Sequence, residues 1–307
     1  MTDEPNLLTI LGPTAGGKTK IAACVADKIN GEIISADSRQ VYRRMDIGTG
    51  KDYCDYMVDH KTIPFHLIDI REPGQKYNVF EYQQDFFQVY HDVHQRDKFP
   101  ILCGGSGLYI EAVLDAYKML KVPEDRSLRE QLERKSLKEL TNMLAQYKSL
   151  HNTTDIDTKK RAIRAIEIAK YHKENMPELS DFPQVKSLNI GIASERKVQK
   201  KRITDRLTMR LENGMLEEVR SLLDEGLTED DLIYYGLEYK YVTKYITGEL
   251  TYEEMFDKLN IAIHQFSKRQ MTWFRRMERK GTNIHWIDGE RPLEEKVDMI
   301  LLLFNDK

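Results

Sequence analysis

Residues 12–19 read GPTAGGKT and carry the most specific chemical pattern in this chain. The pattern G-x-x-x-x-G-K-[ST] surrounds an anion with backbone N–H groups and adds the ammonium group of Lys18. The hydroxyl of Thr19 is suited to bind Mg²⁺ at a helix N-terminus. The apolar run at 7–11 predicts the strand that leads into this loop. The sequence therefore predicts a site for linked phosphates, and the loop alone leaves kinases, ATPases and transferases open.

Two aspartates follow predicted strands and could act beside this loop. Asp37 ends the segment EIISAD, and Asp69 ends the segment that begins at Phe65. Ligands of open α/β sheets bind along the carboxyl ends of the strands. A carboxylate there can act as a base or bind a metal, but it can also be a helix N-cap or a turn residue. Position alone does not rank the two aspartates.

Two basic clusters are candidates for contact with nucleic acid. The first is Lys159, Lys160, Arg161 and Arg164, and the second, interleaved with Trp273 and Phe274, is Lys268, Arg269, Arg275, Arg276, Arg279 and Lys280. Cations on phosphates and aromatic contacts to unstacked bases generally hold single-stranded RNA loops. Without further information, such runs are more often the solvated faces of helices.

The elements that must position these residues alternate in the first third of the chain. Strands are predicted at 7–11, 32–36, 65–70 and 99–103, with helices at 18–29 and 79–95, the second behind an Asn78 N-cap. Later strands are predicted at 188–193 and 284–287, with helices from 197 to 279 and at the C-terminus. This alternation indicates an α/β fold with a P-loop NTPase-like parallel sheet flanked by helices.

The composition changes after Leu114. Residues 122–171 are helix-forming, highly charged and free of strand-like runs, with Pro123 at their start and Pro177 and Pro183 after them. We therefore predict a helical insertion domain at 117–185, within a core domain of residues 1–116 and 186–307.

Composition also limits the class of protein. With 307 residues, 40% hydrophobic content and a net charge of −3, the chain is typical of a globular protein without general attraction to nucleic acid. Cys24, Cys54 and Cys103 form no C-x-x-C pair, which argues against a disulfide framework. An acidic N-terminus and the lack of an apolar stretch of about 20 residues predict a cytoplasmic protein without a membrane partner.

Five segments follow one another between Gly12 and Arg276: GPTAGGKT, ISADSRQVYRRMDIGTGK, CGGSGLYIEAVL, KRAIRAIEI and SKRQMTWFRR. Together they resemble the bacterial tRNA dimethylallyltransferases. The resemblance implies transfer of a dimethylallyl group from dimethylallyl diphosphate to the exocyclic amine (N6) of the adenosine 3′ of a tRNA anticodon, which gives N6-dimethylallyladenosine and diphosphate. It implies Mg²⁺ as the cofactor, and we expect a monomer with no obligate protein partner.

The resemblance also implies roles for individual residues. Asp37 would be the general base with Thr14 close to the reacting groups, Thr19 would bind the metal, and Gln40 would recognise the adenine. The diphosphate would contact Gly12, Pro13, Thr14, Ala15, Gly16, Gly17, Lys18, Thr19 and Arg206. The tRNA would contact Asp37, Ser38, Arg39, Gln40, Ser106, Lys160, Arg161, Ala162, Ile163, Arg164, Lys268, Arg269, Gln270, Met271, Thr272, Trp273, Phe274 and Arg275. The insertion would grip the anticodon stem-loop.

The chain departs from the family pattern at three places. Ser106 stands where threonine is usual, which keeps the hydroxyl, and Ile263-His264 replaces a threonine-arginine pair. Histidine is largely neutral at pH 7, so one phosphate contact is in doubt. The segment from Tyr234 to Leu250 matches only loosely, which could alter substrate preference.

Three alternative functions remain open at the level of the sequence. An adenylate prenyltransferase shares the loop and the aspartate but acts on a free nucleotide. A small-molecule kinase would use Asp37 or Asp69 as base or metal ligand and residues 122–171 as a closing lid. A non-catalytic RNA-binding protein could keep a degenerate loop. The basic clusters and the insertion favour tRNA as the substrate.

Overall fold

The computed structural model describes residues 4–147, 156–175, 182–183 and 185–306. The strands are β1 (Leu7–Leu11), β2 (Gly31–Ala36), β3 (Met57–Val58), β4 (Lys61–Thr62), β5 (Phe65–His66), β6 (Phe99–Gly104), β7 (Ser187–Ala193) and β8 (His285–Asp288). The helices are α1 (Lys18–Ile29), α2 (Val79–Gln95), α3 (Gly107–Leu114), α4 (Arg126–Glu133), α5 (Leu137–Ala145), α6 (Lys159–Asn175), α7 (Arg196–Glu212), α8 (Met215–Asp224), α9 (Glu229–Tyr234), α10 (Leu237–Ile246), α11 (Tyr252–Arg279) and α12 (Leu293–Asn305).

Within the described residues, six strands form one sheet in the order β5–β2–β6–β1–β7–β8, and every neighbouring pair is parallel. β1 and β2 are buried along their whole length, as in parallel sheets covered by helices on both faces. The predicted α/β fold with a helix-flanked parallel sheet is confirmed. Because parallel strands end at one edge, the loops after β1, β2 and β6 meet there.

Most predicted elements have the expected positions, and one strand is shorter than predicted. β1, α1 and α2 have the predicted bounds, and the Asn78 side chain caps α2 by accepting the N–H groups of Phe80 and Glu81. At 65–70, however, only Phe65 and His66 are in a strand. Leu67 and Asp69 adopt left-handed backbone conformations, with φ of 61° and 55°, and this ends β5.

The chain divides into two compact units, a larger one of Met1–Tyr117 with Pro183–Lys307 and a smaller one of Lys118–Phe182. The described part of the smaller unit contains α4, α5 and α6. Its apolar core consists of Leu132, Leu140, Leu144, Ala162, Ile163, Ala165 and Ile166. Pro177 lies outside the described residues. The grip on a stem-loop expected for 117–185 stays a prediction.

In the larger unit, the sheet packs against helices through apolar side chains. Ile10 of β1, Ile33 of β2 and Ile190 of β7 belong to one buried cluster with Val25 of α1 and Ile300 of α12. This packing fixes α1, and therefore the loop that leads into it, relative to the central strands. Among the described helices, none combines the length and apolar character that crossing a bilayer requires.

Candidate active site

The predicted phosphate loop connects β1 to α1 and depends on two glycines. At Gly12, with φ of 152°, an added Cβ would collide with the carbonyl oxygen of Ile192. Gly17 precedes α1 in the left-handed conformation and provides no side-chain cap. The first N–H groups of α1 are therefore left to an external acceptor, which is how a helix N-terminus binds a phosphate.

Lys18 and Thr19 open α1 and line a cavity of about 770 Å³ in the larger unit. The Lys18 ammonium donates to the carbonyl oxygen of Pro13 at 2.7 Å. Burial lowers the pKa of Lys18 to about 8. The Thr19 hydroxyl is hydrogen-bonded to Tyr56. Since burial penalises an isolated ammonium, a bound polyanion would stabilise the charged form of Lys18.

Thr14 is the point at which two helices, α7 and α11, are tied to the loop. Its N–H donates to Gln270 Oε1 of α11 at 2.9 Å, while Gln199 of α7 donates to its carbonyl oxygen. Arg206 of α7 donates to its hydroxyl. Gln270 also donates to the carbonyl oxygen of Gly105 at 2.9 Å, so it links the loops after β1 and β6. The structure thus brings Thr14, Arg206 and Gln270 together.

Asp37 lies at the end of β2 and lines the same cavity as the phosphate loop. Its Oδ1 accepts the N–H of Arg39 at 2.9 Å. The Ser106 hydroxyl accepts the N–H of Ser38 at 3.1 Å, so the loop after β6 supports the turn that carries the carboxylate. Asp37 and the phosphate loop therefore face one cavity.

Asp69, the rival aspartate, is bound elsewhere. Its carboxylate accepts from the buried Lys51 ammonium and from the Tyr53 hydroxyl, and it is not among the residues that line the cavity. Lys51 also donates to Asp46 at 2.8 Å and to the carbonyl oxygen of Tyr42. The geometry therefore assigns Asp69 to a structural ion pair and separates it from Asp37, which the sequence could not do.

The cavity combines charged and apolar walls. Met209 and Phe266 line it with 47% and 38% of their surface exposed, so apolar area is available to a hydrocarbon group. Asp55 and Glu238 line it too, and burial raises the pKa of both carboxyl groups. Such walls suit a ligand with an anionic end and an apolar end.

Gln40 reaches the cavity but is engaged with the protein. Its Nε2 donates to the carbonyl oxygen of Gly50 at 3.0 Å, and its Oε1 accepts from the Ser35 hydroxyl at 3.3 Å. Each polar atom of the amide has one partner and keeps capacity for another. Its role as the residue that recognises adenine stays a prediction. Its neighbour Arg39 stacks over the Tyr234 ring at 5.4 Å.

In the smaller unit, the segment expected to contact tRNA has two different faces. Ala162 and Ile163 are buried in the apolar core, so their side chains hold α6 in place. Arg164 donates to Glu167 at 2.6 Å and to the carbonyl oxygen of Val122 at 2.9 Å. Lys160 is exposed, and Arg161 pairs with Asp157 at 3.1 Å. The exposed cations of this segment are Lys160 and Arg161, and Arg164 is half-buried.

The segment of α11 expected to contact tRNA also divides by helix face. Gln270 and Phe274 are buried, and Trp273 is half-buried against Gly107, with Arg276 over its ring at 4.0 Å. Met271 is half-buried. The exposed residues, on the opposite face, are Lys268, Arg269, Thr272 and Arg275. His264, one turn earlier, lies with its Nε2 3.3 Å from the carbonyl oxygen of Lys200.

Sequence patterns missed several residues of the cavity. Asp52, Arg210 and Glu238 line it, although no motif assigned them a role. The wall formed by residues 48–50 is held by Glu218, whose carboxylate accepts the N–H groups of Asp46, Ile47 and Gly48 at 2.7, 2.7 and 3.0 Å. The four-residue spacing from Arg206 was a usable signal for Arg210, because such residues share a helix face.

Comparisons with known proteins agree with one another. A family model described as IPP transferase matches residues 40–277. A tRNA dimethylallyltransferase 2 from Phocaeicola vulgatus is 58% identical over 99% of both chains, and a tRNA dimethylallyltransferase 1 from Parabacteroides distasonis is 59% identical over 98% of both. The crystal structure of the tRNA isopentenylpyrophosphate transferase from Bacillus halodurans matches with a TM-score of 0.72 and 31% identity, covering 99% of this chain and 96% of that one.

Proposed function

Because this chain belongs to the IPP transferase family, we propose that it is a tRNA dimethylallyltransferase. It transfers the dimethylallyl group of dimethylallyl diphosphate to N6 of the adenosine 3′ of the anticodon. The observation that carries this proposal is that a phosphate loop and the Asp37 carboxylate line one cavity that also has exposed apolar walls. The three features match the diphosphate, the base and the hydrocarbon of the reaction.

The diphosphate of the donor is bound by the loop residues Gly12–Thr19 with Lys18 and Arg206. An allylic C–O bond breaks when the charge that develops on the leaving diphosphate is stabilised. The free N–H groups at the start of α1 and two buried cations supply that stabilisation. The bonding electrons leave with the diphosphate oxygen, and Met209 and Phe266 receive the apolar tail.

Mg²⁺ is the cofactor in this proposal, and the donors present fit it. The Thr19 hydroxyl and the carboxylate of Asp55 line the cavity, and Mg²⁺ prefers such oxygen ligands. Within the described ranges, no group of three or more His, Cys, Asp or Glu side chains could hold a metal by itself. Such an ion would therefore share its coordination with the diphosphate, where it adds positive charge beside the leaving group.

Asp37 removes the proton of the acceptor amine. The exocyclic nitrogen of adenine is a poor nucleophile, because its lone pair is delocalised into the ring. As N6 bonds to the allylic carbon, a proton passes from N6 to the carboxylate. Oδ1 already accepts from Arg39, and Oδ2 has no donor in the described chain, so Oδ2 is available to the amine. Thr14, whose hydroxyl accepts from Arg206, belongs to the phosphate loop that lines the same cavity.

The tRNA is proposed to contact three segments: residues 37–40 with Ser106, residues 160–164, and residues 268–275. The exposed cations Lys160, Arg161, Lys268, Arg269 and Arg275 support phosphate contacts. We also propose that the smaller unit grips the anticodon stem-loop. The target base must leave its stack to reach Asp37, which costs a few kcal/mol and is repaid by contacts in the cavity.

We propose that the enzyme acts as a monomer in the cytoplasm. The phosphate loop, the Asp37 carboxylate and the apolar wall are all supplied by residues of this chain, which supports a monomer. A tRNA substrate supports the cytoplasmic assignment.

One assay tests the proposal. Purified protein is incubated with Mg²⁺, dimethylallyl diphosphate and either unmodified tRNA or AMP, and the nucleosides are analysed by mass. We expect dimethylallyladenosine in the tRNA digest and no product on AMP. A product on AMP alone would identify an adenylate prenyltransferase, and ATP consumption without prenylation would identify a kinase.

A further inference from the structure

Arg210 is a buried arginine in the cavity whose charge lacks hydrogen-bonded partners. It lies on α7 four residues after Arg206 and is 7% exposed. Its nearest carboxylate oxygen, on Asp52, is 3.8 Å away, which is beyond hydrogen-bond distance. No residue in the described chain accepts a hydrogen bond from this guanidinium.

An anion in the cavity would give this guanidinium the hydrogen bonds that the described protein residues do not supply. A guanidinium has five N–H donors, and burying a charge without hydrogen bonds is costly. The buried Lys51 shows the usual solution, because its ammonium donates to Asp46, Asp69 and a carbonyl oxygen. Arg210 lines the open space of the cavity instead, so its donors are directed at a site where a ligand can bind.

The loop that faces Arg210 leaves room for its guanidinium. Gly50 has a left-handed φ of 70°, and an added Cβ would fall on Nη2 of Arg210. The Gly50 carbonyl oxygen accepts a hydrogen bond from Gln40. This wall of the cavity is therefore held in place without a hydrogen bond from Arg210. Arg210 is thus held in position by the shape of the loop while its N–H groups stay unused.

We propose that Arg210 is a second arginine for the diphosphate of the prenyl donor and binds the same group as Arg206. This inference deepens the proposed function and rests on it. Residues four apart on a helix lie about 5–6 Å from each other on one face, so both guanidiniums can contact one diphosphate. Arg206 already reaches the phosphate loop through the Thr14 hydroxyl.

The electrostatics of the pair support a shared anion. Burial and, second to it, repulsion from Arg210 lower the pKa of Arg206 to about 10. An anion between the two guanidiniums would remove this repulsion and give both a hydrogen-bonded partner. A phosphate of the RNA backbone has the same oxyanion chemistry, so the experiment must separate the two sources.

The first test measures binding of inorganic diphosphate with Mg²⁺ by calorimetry, without any prenyl transfer. The variant is Arg210→Gln, and the matched control is Arg220→Gln, at an exposed arginine of α8 outside the cavity. Loss of charge-assisted hydrogen bonds should weaken binding about 10- to 100-fold, while the control stays within about twofold of wild type. Unchanged binding in Arg210→Gln would overturn the inference.

The thermal midpoint of the ligand-free protein separates ligand binding from a structural role. Removing a buried charge that makes no hydrogen bond within the described residues should leave the midpoint unchanged or raise it by about 1–3 °C. A midpoint lower than that of wild type would instead show that Arg210 holds the fold together. Arg210→Lys, which keeps the charge but loses the forked geometry, should bind diphosphate with intermediate affinity.

Kinetics separate the two phosphate sources. For Arg210→Gln we expect a raised KM for dimethylallyl diphosphate and an unchanged KM for tRNA. A rise confined to the KM for tRNA would assign Arg210 to the RNA backbone and overturn the inference. If the wild-type protein prenylates no tRNA, the proposed function fails, and the diphosphate titration still decides whether Arg210 binds the anion.

Discussion

Glu167 of the smaller unit and Arg210 of the larger unit are both buried charges, but they differ in how their hydrogen-bonding capacity is used. The Glu167 carboxylate is 3% exposed and accepts from Arg129 through two bonds of 2.8 Å, from Arg164 at 2.6 Å and from the N–H of Asp125 at 2.9 Å. Arg210 is 7% exposed and uses none of its donors within the described residues.

This difference distinguishes a charge with a structural role, Glu167, from a charge that is available to bind a ligand, Arg210. Satisfied ions such as Glu167 tie helices together, and their removal leaves partners unpaired. A buried ion that lacks hydrogen-bonded protein partners, such as Arg210, gains them when an anion binds, and the anion then stabilises the folded protein. Counting the partners of each buried charge therefore distinguishes the two roles, where burial alone does not.

The largest effect on turnover is expected at Asp37. Its carboxylate stands between those two cases, because one oxygen accepts a hydrogen bond and the other has no donor in the described chain. Asp37→Ala should lower kcat by about 10²- to 10⁴-fold, the usual contribution of a general base. Diphosphate binding should be largely retained, since the loop and its cations are intact. Single-turnover prenylation and calorimetry measure the two quantities. Near-normal turnover would show that another group takes the proton.

The next largest effect is on the stability of the smaller unit, at the hydrogen-bonded carboxylate of Glu167. Glu167→Gln leaves Arg129 and Arg164 without their carboxylate, and we expect the smaller unit to lose about 3–5 kcal/mol. Hydrogen exchange of α4 and α6 amides reports this loss locally. The control is Glu133→Gln, an exposed partner of Lys159, which should cost less than about 1 kcal/mol. Equal losses in both variants would break the comparison.

Acid should reproduce the Glu167→Gln effect in the wild-type protein. Burial alone would raise the pKa of Glu167, but the hydrogen bonds from Arg129 and Arg164 outweigh it and hold the pKa below its usual value of 4.5. The stabilisation is thus complete above pH 4.5 and is lost as the pH falls through the lowered pKa. We expect the stability difference between wild type and Glu167→Gln to shrink on acidification. A difference that is constant with pH contradicts this account.

A smaller effect is expected from the loop that shapes the Arg210 site. Gly50→Ala places a methyl group on the guanidinium position and should weaken diphosphate binding several-fold, about tenfold at most. The left-handed backbone adds about 1–2 kcal/mol of strain. Gly248→Ala is the matched control, because Gly248 has φ of 83° and nothing within 4 Å of an added Cβ. Equal diphosphate affinity in the two variants would separate Gly50 from the anion site.

Much of the fold could be predicted from local patterns, and the roles of the buried charges could not. The apolar run and glycines around residues 7–19 and the Asn78 cap are local signals, and β1, α1 and α2 have their predicted bounds. The strand predicted at 65–70 ends at His66, because the backbone of Leu67 and Asp69 turns left-handed. Asp37 and Asp69 look alike in sequence, and Arg210 resembles any helical arginine. What distinguishes these residues is whether segments distant in the chain supply them with hydrogen-bond partners, and local sequence does not show this.

The position of β1 in the sheet has a consequence for synthesis. β1 pairs with β6 and with β7, and the whole smaller unit lies between these two partners in the chain. At typical translation rates, roughly 5–20 s pass between completion of β6 and of β7. During this interval the β7-facing edge of the strand that carries the phosphate loop stays unpaired, and such an edge invites aggregation. The strand that carries the phosphate loop therefore keeps one edge unpaired while the smaller unit is synthesised, and a slow stretch of translation there would prolong that exposure.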